Sequence, residues 1–170
     1  MKRMRTGVAT AAIALLATGA SCASLGSLIQ PPTFAVADGR STELRLLGPS
    51  TSRPLGGASL RVWTRIGNPN SFGLTLAALA GNIYLENQQA GEVTFPLGLP
   101  LLAGGDTIVP LDINISFADV PGLAGVAQQI LLQNQVSYRL DGTVTVDAGP
   151  FGRPSFGPRT WVRGDTRVMR

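Results

Sequence analysis

Apolar and polar residues alternate in three segments of this chain. From Leu111 to Phe117 the odd-numbered residues are apolar and the even-numbered residues are polar, and Leu60–Ile66 and Val136–Asp147 follow a similar pattern. Because successive side chains of a strand point to opposite faces, each segment is predicted to be a strand with one buried face and one face in water. Shorter candidate strands are Glu43–Leu47, Asn82–Glu86, Gly91–Pro96 and Arg159–Arg163. About seven strands separated by Gly, Pro and Asn turns predict a mainly β, antiparallel sandwich.

One segment, at about residues 120–133, has helical periodicity instead. Asp119 is placed to cap this helix, and Pro121 suits its first turn. We expect the short helix to cover an open end or flank of the sandwich, although its apolar face could instead meet a partner or a membrane. The apolar residues at helical spacing are Leu123, Val126, Ala127, Ile130 and Leu131.

Residues 1–22 have the composition of an export signal. Met1–Arg5 is basic, and Gly7–Ala20 is apolar but shorter than the roughly 20 residues of a membrane span. Small residues precede Cys22, which resembles a bacterial lipobox in which the cysteine is lipidated and becomes the mature N-terminus. Lipidation would predict an outer-membrane anchor facing the periplasm, because Ala23 follows the cysteine. The alternative is cleavage after Ala23, which would remove Cys22 and leave a periplasmic protein.

The remaining chain divides into a tether and one domain. Residues 23–32 contain Gly, Ser and Pro without charge, which is typical of a short tether. Residues 33–168 are enough for a single domain with its own core.

Composition disfavours catalysis. The chain has no histidine and one cysteine, which excludes His- or Cys-based metal centres, Ser-His or Cys-His nucleophiles and a disulfide within the chain. Asp141 and Asp147 share a strand face but would lie roughly 20 Å apart, too far for a glycosidase pair. Glycine-rich segments lack the context of a phosphate loop. We therefore expect no enzymatic activity, cofactor or metal.

The net charge is small once the signal is removed. Fourteen Lys and Arg residues against ten Asp and Glu give +4, and without Lys2, Arg3 and Arg5 the balance is eleven against ten, or +1. Five arginines near the C-terminus predict the solvated face of a final strand and a tail, or else a patch for an anionic surface. Few aromatic residues interleave with them, so nucleic acid is not an expected partner. These arginines are Arg153, Arg159, Arg163, Arg167 and Arg170.

The turn Asn68-Pro69-Asn70 follows the first alternating strand directly. Proline ends the strand ladder, and the asparagine side chains can satisfy free backbone groups of the turn. After this turn come Ile83-Tyr84-Leu85-Glu86-Asn87, the segment Pro100–Thr107 and the strand Ser137–Asp147 with its Tyr-Arg-Leu start.

This order of motifs resembles the type two late-embryogenesis-abundant family, also called the water stress and hypersensitive response (WHy) domain, over nearly all of residues 32–168. The resemblance implies a fibronectin-III- or immunoglobulin-like sandwich with one helix, a stress-protective role and no enzymatic activity. It supplies no catalytic residues, and it marks Asn68, Pro69 and Asn70 as a family signature turn of structural character. Bacterial proteins similar to it are often exported or lipid-anchored.

Three functions follow as hypotheses. The leading one is a monomeric, desiccation-protective module at the bacterial envelope, whose partners would be client proteins or membrane lipids. The second is a carrier of lipid or another apolar ligand, with Leu97, Leu99, Leu101 and Leu102 in one loop forming a groove; these leucines could instead tuck under the sandwich edge. The third is an envelope adhesion or scaffold domain.

Overall fold

The computed structural model describes residues 29–120 and 122–169, and in these ranges it contains eight strands and one α-helix. The predicted mainly β, antiparallel fold with one short helix is confirmed, with eight strands where about seven are predicted. A short 3₁₀ turn at Gly149–Phe151 lies between the last two strands. In chain order the elements are β1 (Thr33–Val36), β2 (Glu43–Leu47), β3 (Gly57–Gly67), β4 (Leu74–Leu85), β5 (Gln88–Leu101), β6 (Asp106–Ser116), α1 (Leu123–Gln133), β7 (Gln135–Asp147) and β8 (Ser155–Met169).

The strands form two antiparallel groups joined by one parallel contact. In the first group β3 pairs with β6 along one edge and with β1 and β2 along the other. In the second group the order is β8-β7-β4-β5. A short parallel pairing of β2 with β8, at Leu44 and Val168, joins the groups into one sheet. Buried residues of both groups belong to one hydrophobic cluster, so the strands enclose a single core.

The predicted inward and outward faces of the three alternating segments are confirmed. Arg61 on β3 and Asp112 on β6 are exposed, whereas the apolar residues on either side of each are buried. Alternation identifies these strands because one face of each packs on the core and the other meets water. The buried members of the three segments are Leu60, Val62, Ile66, Leu111, Ile113, Ile115, Val136, Tyr138, Leu140, Val144 and Val146.

The helix covers a flank of the core, as predicted, but its predicted cap is wrong. Leu123 and Val126 are buried in the hydrophobic cluster, and α1 contacts β5 and β7. Asp119 lies four residues before the first helical residue, and its backbone N–H instead donates to the Ser116 carbonyl oxygen in a separate turn. Asp119 is therefore part of this turn and does not cap the helix. In residues 29–120 and 122–169 no helix is both long and apolar enough to cross a membrane.

Part of the predicted tether packs on the domain. Ile29 is 3% exposed, and the Pro32 carbonyl oxygen accepts a hydrogen bond from Arg159 on β8 at 3.3 Å. The folded unit therefore includes residues from Ile29 onward. The predicted signal segment, Cys22 and the rest of the tether lie outside the described residues.

Candidate functional site

The Asn68-Pro69-Asn70 turn joins β3 to β4, and both asparagine side chains are buried. Asn68 is 2% exposed and Asn70 is 4% exposed, whereas Pro69 is at the surface. The side-chain nitrogen of Asn68 donates hydrogen bonds to the carbonyl oxygens of Phe72 (2.8 Å) and Leu102 (3.1 Å). A buried carboxamide is costly unless its polar atoms have partners, so these bonds allow asparagine at this position.

Asn70 extends this network to the N-terminal segment. Its side-chain nitrogen donates to the carbonyl oxygen of Gln30 and to Oδ1 of Asn68, both at 2.9 Å. Its Oδ1 accepts the backbone N–H of Gln30 at 2.8 Å. The backbone carbonyl of Asn70 accepts the N–H of Gly104 at 3.0 Å, in the turn between β5 and β6.

We call Asn68, Asn70 and their backbone partners the asparagine clamp. It holds together the N-terminal segment, the β3–β4 turn and the β5–β6 turn. The side-chain oxygen and nitrogen of both asparagines are occupied by partners within the protein. This geometry gives the turn a structural role and leaves it little capacity to bind a ligand. Its status as a family signature stays a prediction.

The leucines proposed to line a loop groove lie mostly in a strand. Leu97, Leu99 and Leu101 belong to β5, so the prediction of a loop is wrong. Leu97 and Leu99 pack against the core and Leu101 is 3% exposed, while Leu102 is 80% exposed. The alternative interpretation, in which the leucines tuck under the sandwich edge, describes the first three. The predicted leucine groove, which is the main reason to expect a carrier of lipid or another apolar ligand, is therefore not present as a loop.

Tyr138, on β7, places a polar hydroxyl group in the hydrophobic core. It is buried, and its hydroxyl lies 3.0 Å from Oγ1 of Thr42, whose carbonyl oxygen accepts a hydrogen bond from Thr166 at 2.6 Å. Gly164, opposite on β8, leaves room for the ring, because a Cβ there would lie 2.7 Å from the tyrosine oxygen. Burial raises the pKa of Tyr138, with a smaller raising effect from Asp165 and an opposing effect of the Thr42 hydrogen bond. The hydroxyl is therefore a neutral structural anchor at ordinary pH.

Three carboxylates on the outer strand faces and turns are engaged with arginines. Asp141 accepts from Nε of Arg139 at 2.9 Å, and Asp147 lies 3.3 Å from Nε of Arg153. Asp112 receives two hydrogen bonds from one guanidinium, at 2.6 and 3.1 Å. Within the described ranges, no group of three His, Cys, Asp or Glu side chains is placed to hold a metal ion.

Three of the five C-terminal arginines lie on the final strand. Arg159, Arg163 and Arg167 lie on β8 and are exposed, as expected for a solvated strand face. The guanidinium of Arg159 lies 3.8 Å from the centre of the Trp161 ring. Arg170 is outside the described residues.

Sequence reasoning missed two residues that organise these sites. Gln30 is assigned to the tether, although it completes the asparagine clamp, and Thr42 lies in a connection with no assigned role. A buried tyrosine hydroxyl needs a hydrogen-bond partner, so Tyr138 indicates that such a partner exists. The partner lies 96 residues away in sequence, and no local pattern identifies it.

Comparison with known proteins gives one family and a shared fold. A family model described as "Late embryogenesis abundant protein" matches residues 64–159. The solution structure of an Arabidopsis thaliana protein has a TM-score of 0.59 and 16% identity, with 84% of this chain and 85% of that chain covered. A second solution structure, of a protein described as a candidate late embryogenesis abundant (LEA) protein, has a TM-score of 0.50 and 16% identity, with 83% and 73% covered.

A crystal structure of a protein from Archaeoglobus fulgidus has a TM-score of 0.44 and 10% identity, with 77% of this chain and 98% of that chain covered. Comparison with curated proteins finds no match. At these identities, the two solution structures establish the fold alone.

Proposed function

This chain belongs to the late embryogenesis abundant protein family, and from that premise we propose that it is a non-enzymatic protein that protects other molecules from desiccation at the bacterial cell envelope. The match over residues 64–159 carries the proposal, because it supports a stress-related function of the late embryogenesis abundant type. The order of motifs on which the resemblance rests favours the WHy subtype within this family.

The surface chemistry fits a hydrated spacer. The outer face of β7 carries Ser, Arg, Asp and Thr residues, and exposed charges such as Arg61 and Asp112 neutralise each other at 2.6 Å. Without residues 1–22 the net charge is +1. Where the charges are paired in this way, the surface binds water without a strong electric field that would attract macromolecules of one charge. During drying it would keep partly dehydrated client proteins or membranes from contacting one another.

The experiment is the drying of a dehydration-sensitive enzyme with the full chain. The control is an inert globular protein of similar size and net charge, at the same mass concentration. We expect more enzymatic activity to be recovered after rehydration in the presence of the chain. Equal recovery with both proteins would refute the protective function.

We further propose that the protein is exported and anchored through lipidated Cys22 at the outer membrane. The support is the basic, apolar and small-residue order of residues 1–22, ending at the only cysteine. In a bacterial host fed a labelled fatty acid, the chain should carry label and Cys22→Ala should not. Unlabelled chain that begins at Ser24 would instead establish cleavage after Ala23 and a periplasmic protein.

A further inference from the structure

A cleft of about 810 Å³ lies between β8 and the connection from β1 to β2. Arg163 and Arg167 line it from β8, and Arg40 lines it from the connection. The one carboxylate in its lining is Asp165, so the lining contains three arginines and one negative charge. Volume and charge together suit an anion larger than a simple halide.

The arginines of the cleft are not neutralised within the described part of the chain. There, Arg40, Arg163 and Arg167 each lie farther than 4.0 Å from any carboxylate, whereas other exposed arginines such as Arg61 and Arg153 have a close acidic partner. Arginine remains charged at every pH of interest. The cleft therefore has an excess of two positive charges.

Strand register explains how these charges come together. Arg163, Asp165 and Arg167 alternate on β8 and share its outer face, with about 7 Å between successive members. Arg163 is directly opposite Arg139 of β7, and like charges at such positions destabilise a sheet. Arg139 is compensated by Asp141 at 2.9 Å, but Arg163 is not. A bound anion would offset the repulsion between Arg163 and Arg139.

The third arginine is held in place from the other side of the cleft. The guanidinium of Arg40 lies 4.2 Å from the centre of the Trp63 ring, a distance that allows a cation–π contact. The next residue, Ser41, adds an exposed hydroxyl to the lining. At the base, the hydrogen bonds among Thr42, Tyr138 and Thr166 fix the connection against β8.

The cleft also has an apolar side. Val36 and Met169 line it, and Met169 is 47% exposed. Guanidinium groups bind phosphate oxygens through paired hydrogen bonds, which favours phosphate over a carboxylate of lower charge. An apolar surface beside them would suit the carbon portion of a phosphate ester.

We propose that this cleft is a binding site for phosphate-bearing anions, held by Arg40, Arg163 and Arg167. The phosphate belongs either to a small soluble molecule or to the headgroup of an anionic phospholipid. The site stands on the geometry of β8 and its neighbours and is independent of the protective role.

The test uses the full chain and two probes. Inorganic phosphate is titrated by calorimetry, and sedimentation measures binding to vesicles of phosphatidylcholine alone or mixed equally with phosphatidylglycerol. The cleft variant is R163Q/R167Q. The matched control is R61Q/R153Q, which removes the same charge from exposed positions outside the cleft. The N-terminal segment is common to all variants, so only differences among them are interpreted.

We expect the cleft variant to bind about tenfold more weakly than the unaltered chain, and the control to change less than about twofold. Arginine-dependent binding of inorganic phosphate would assign the soluble class, and arginine-dependent binding of the phosphatidylglycerol vesicles alone would assign the headgroup. Failure of the unaltered chain to bind either probe, or equal loss in the cleft and control variants, would overturn the proposal. If near-ultraviolet circular dichroism shows that R163Q/R167Q is unfolded, R40Q from the connection replaces it, with the same expectations.

Discussion

Two buried carboxamides, those of Asn68 and Asn70, bind three separate segments of the chain through one another and through backbone groups. Hydrogen bonds of this kind contribute modestly when made, but leaving their buried partners unsatisfied is expensive. The asparagine clamp is therefore a site where single side chains control how the N-terminal segment and two turns fit together.

Replacement of Asn68 by alanine should destabilise the protein by about 2 to 3 kcal/mol, because it removes hydrogen bonds to the carbonyl oxygens of Phe72 and Leu102 and leaves the buried backbone N–H of Asn70 without its acceptor. Urea unfolding at neutral pH measures the change. The matched control is Asn114→Ala, at an exposed position on β6, which should change stability by less than about 0.5 kcal/mol. Equal effects of the two substitutions would contradict the clamp.

Tyr138 gives the free energy of unfolding a dependence on alkaline pH. Its pKa in the folded protein is raised, chiefly by burial, above the unfolded value of about 10. At high pH the unfolded chain therefore loses this proton first. The contribution to stability is complete below about pH 10 and is lost as the pH rises through the folded-state pKa.

Urea unfolding at pH values from about 7 to about 11, a range that includes the ordinary pKa of tyrosine, should show this loss of stability. Tyr138→Phe should be less stable at neutral pH, because it lacks the hydrogen bond to Thr42, but should lose less stability as the pH rises. Lys2 is the only lysine, so few other groups titrate in this range. Tyr84→Phe, which removes the only other tyrosine, should retain the alkaline loss; an identical pH profile for both variants would exclude Tyr138 as its source.

At the scale of elements, two glycines allow β4 and β7 to approach closely. Gly81 and Gly142 are paired in register, and a Cβ on Gly142 would lie 2.8 Å from the Gly81 Cα. Gly142→Ala should destabilise the protein by more than about 3 kcal/mol, because the backbone would have to move. Thermal unfolding provides the measurement.

Gly125, in helix α1, is the opposite case to Gly142, because it has open space beside it. A Cβ on Gly125 in α1 would meet nothing within 4 Å. Gly125→Ala should therefore raise stability by about 0.5 to 1 kcal/mol, since alanine restricts the unfolded chain and favours the helix. Stabilisation by Gly142→Ala would contradict the close contact between β4 and β7, and strong destabilisation by Gly125→Ala would contradict the open space beside α1.

Sequence patterns identify some elements and fail on others for physical reasons. β3, β6 and β7 are predicted because each has one buried and one wet face. The end of β5 is predicted as a loop because Pro96, Gly98 and Pro100 interrupt it. Proline is tolerated there because β5 is an edge strand, paired on one side by β4, where a missing N–H costs little. The asparagine clamp is visible only as a turn, because its partners come from distant segments.

At the scale of the whole molecule, the prolines of the two long edge strands discourage association between copies. Pro96 and Pro100 lie on β5, and Pro110 lies on β6. An edge that lacks N–H donors is a poor template for another strand. The full chain should sediment as a monomer, and Pro96→Val/Pro100→Val should form dimers or larger species. A dimer of the unaltered chain at low micromolar concentration would contradict this account of the edges.

Because the proposed spacer is the surface of the folded domain, the folded chain and not an unfolded one should protect other molecules during drying. The most direct measurement compares recovered activity of a dried, dehydration-sensitive enzyme in the presence of the unaltered chain and of Gly142→Val, in which a branched side chain replaces the glycine at the β4–β7 contact and should unfold the domain. We predict protection by the folded chain and little by the unfolded variant at the same concentration. Equal protection by both, or none by either, would contradict the claim.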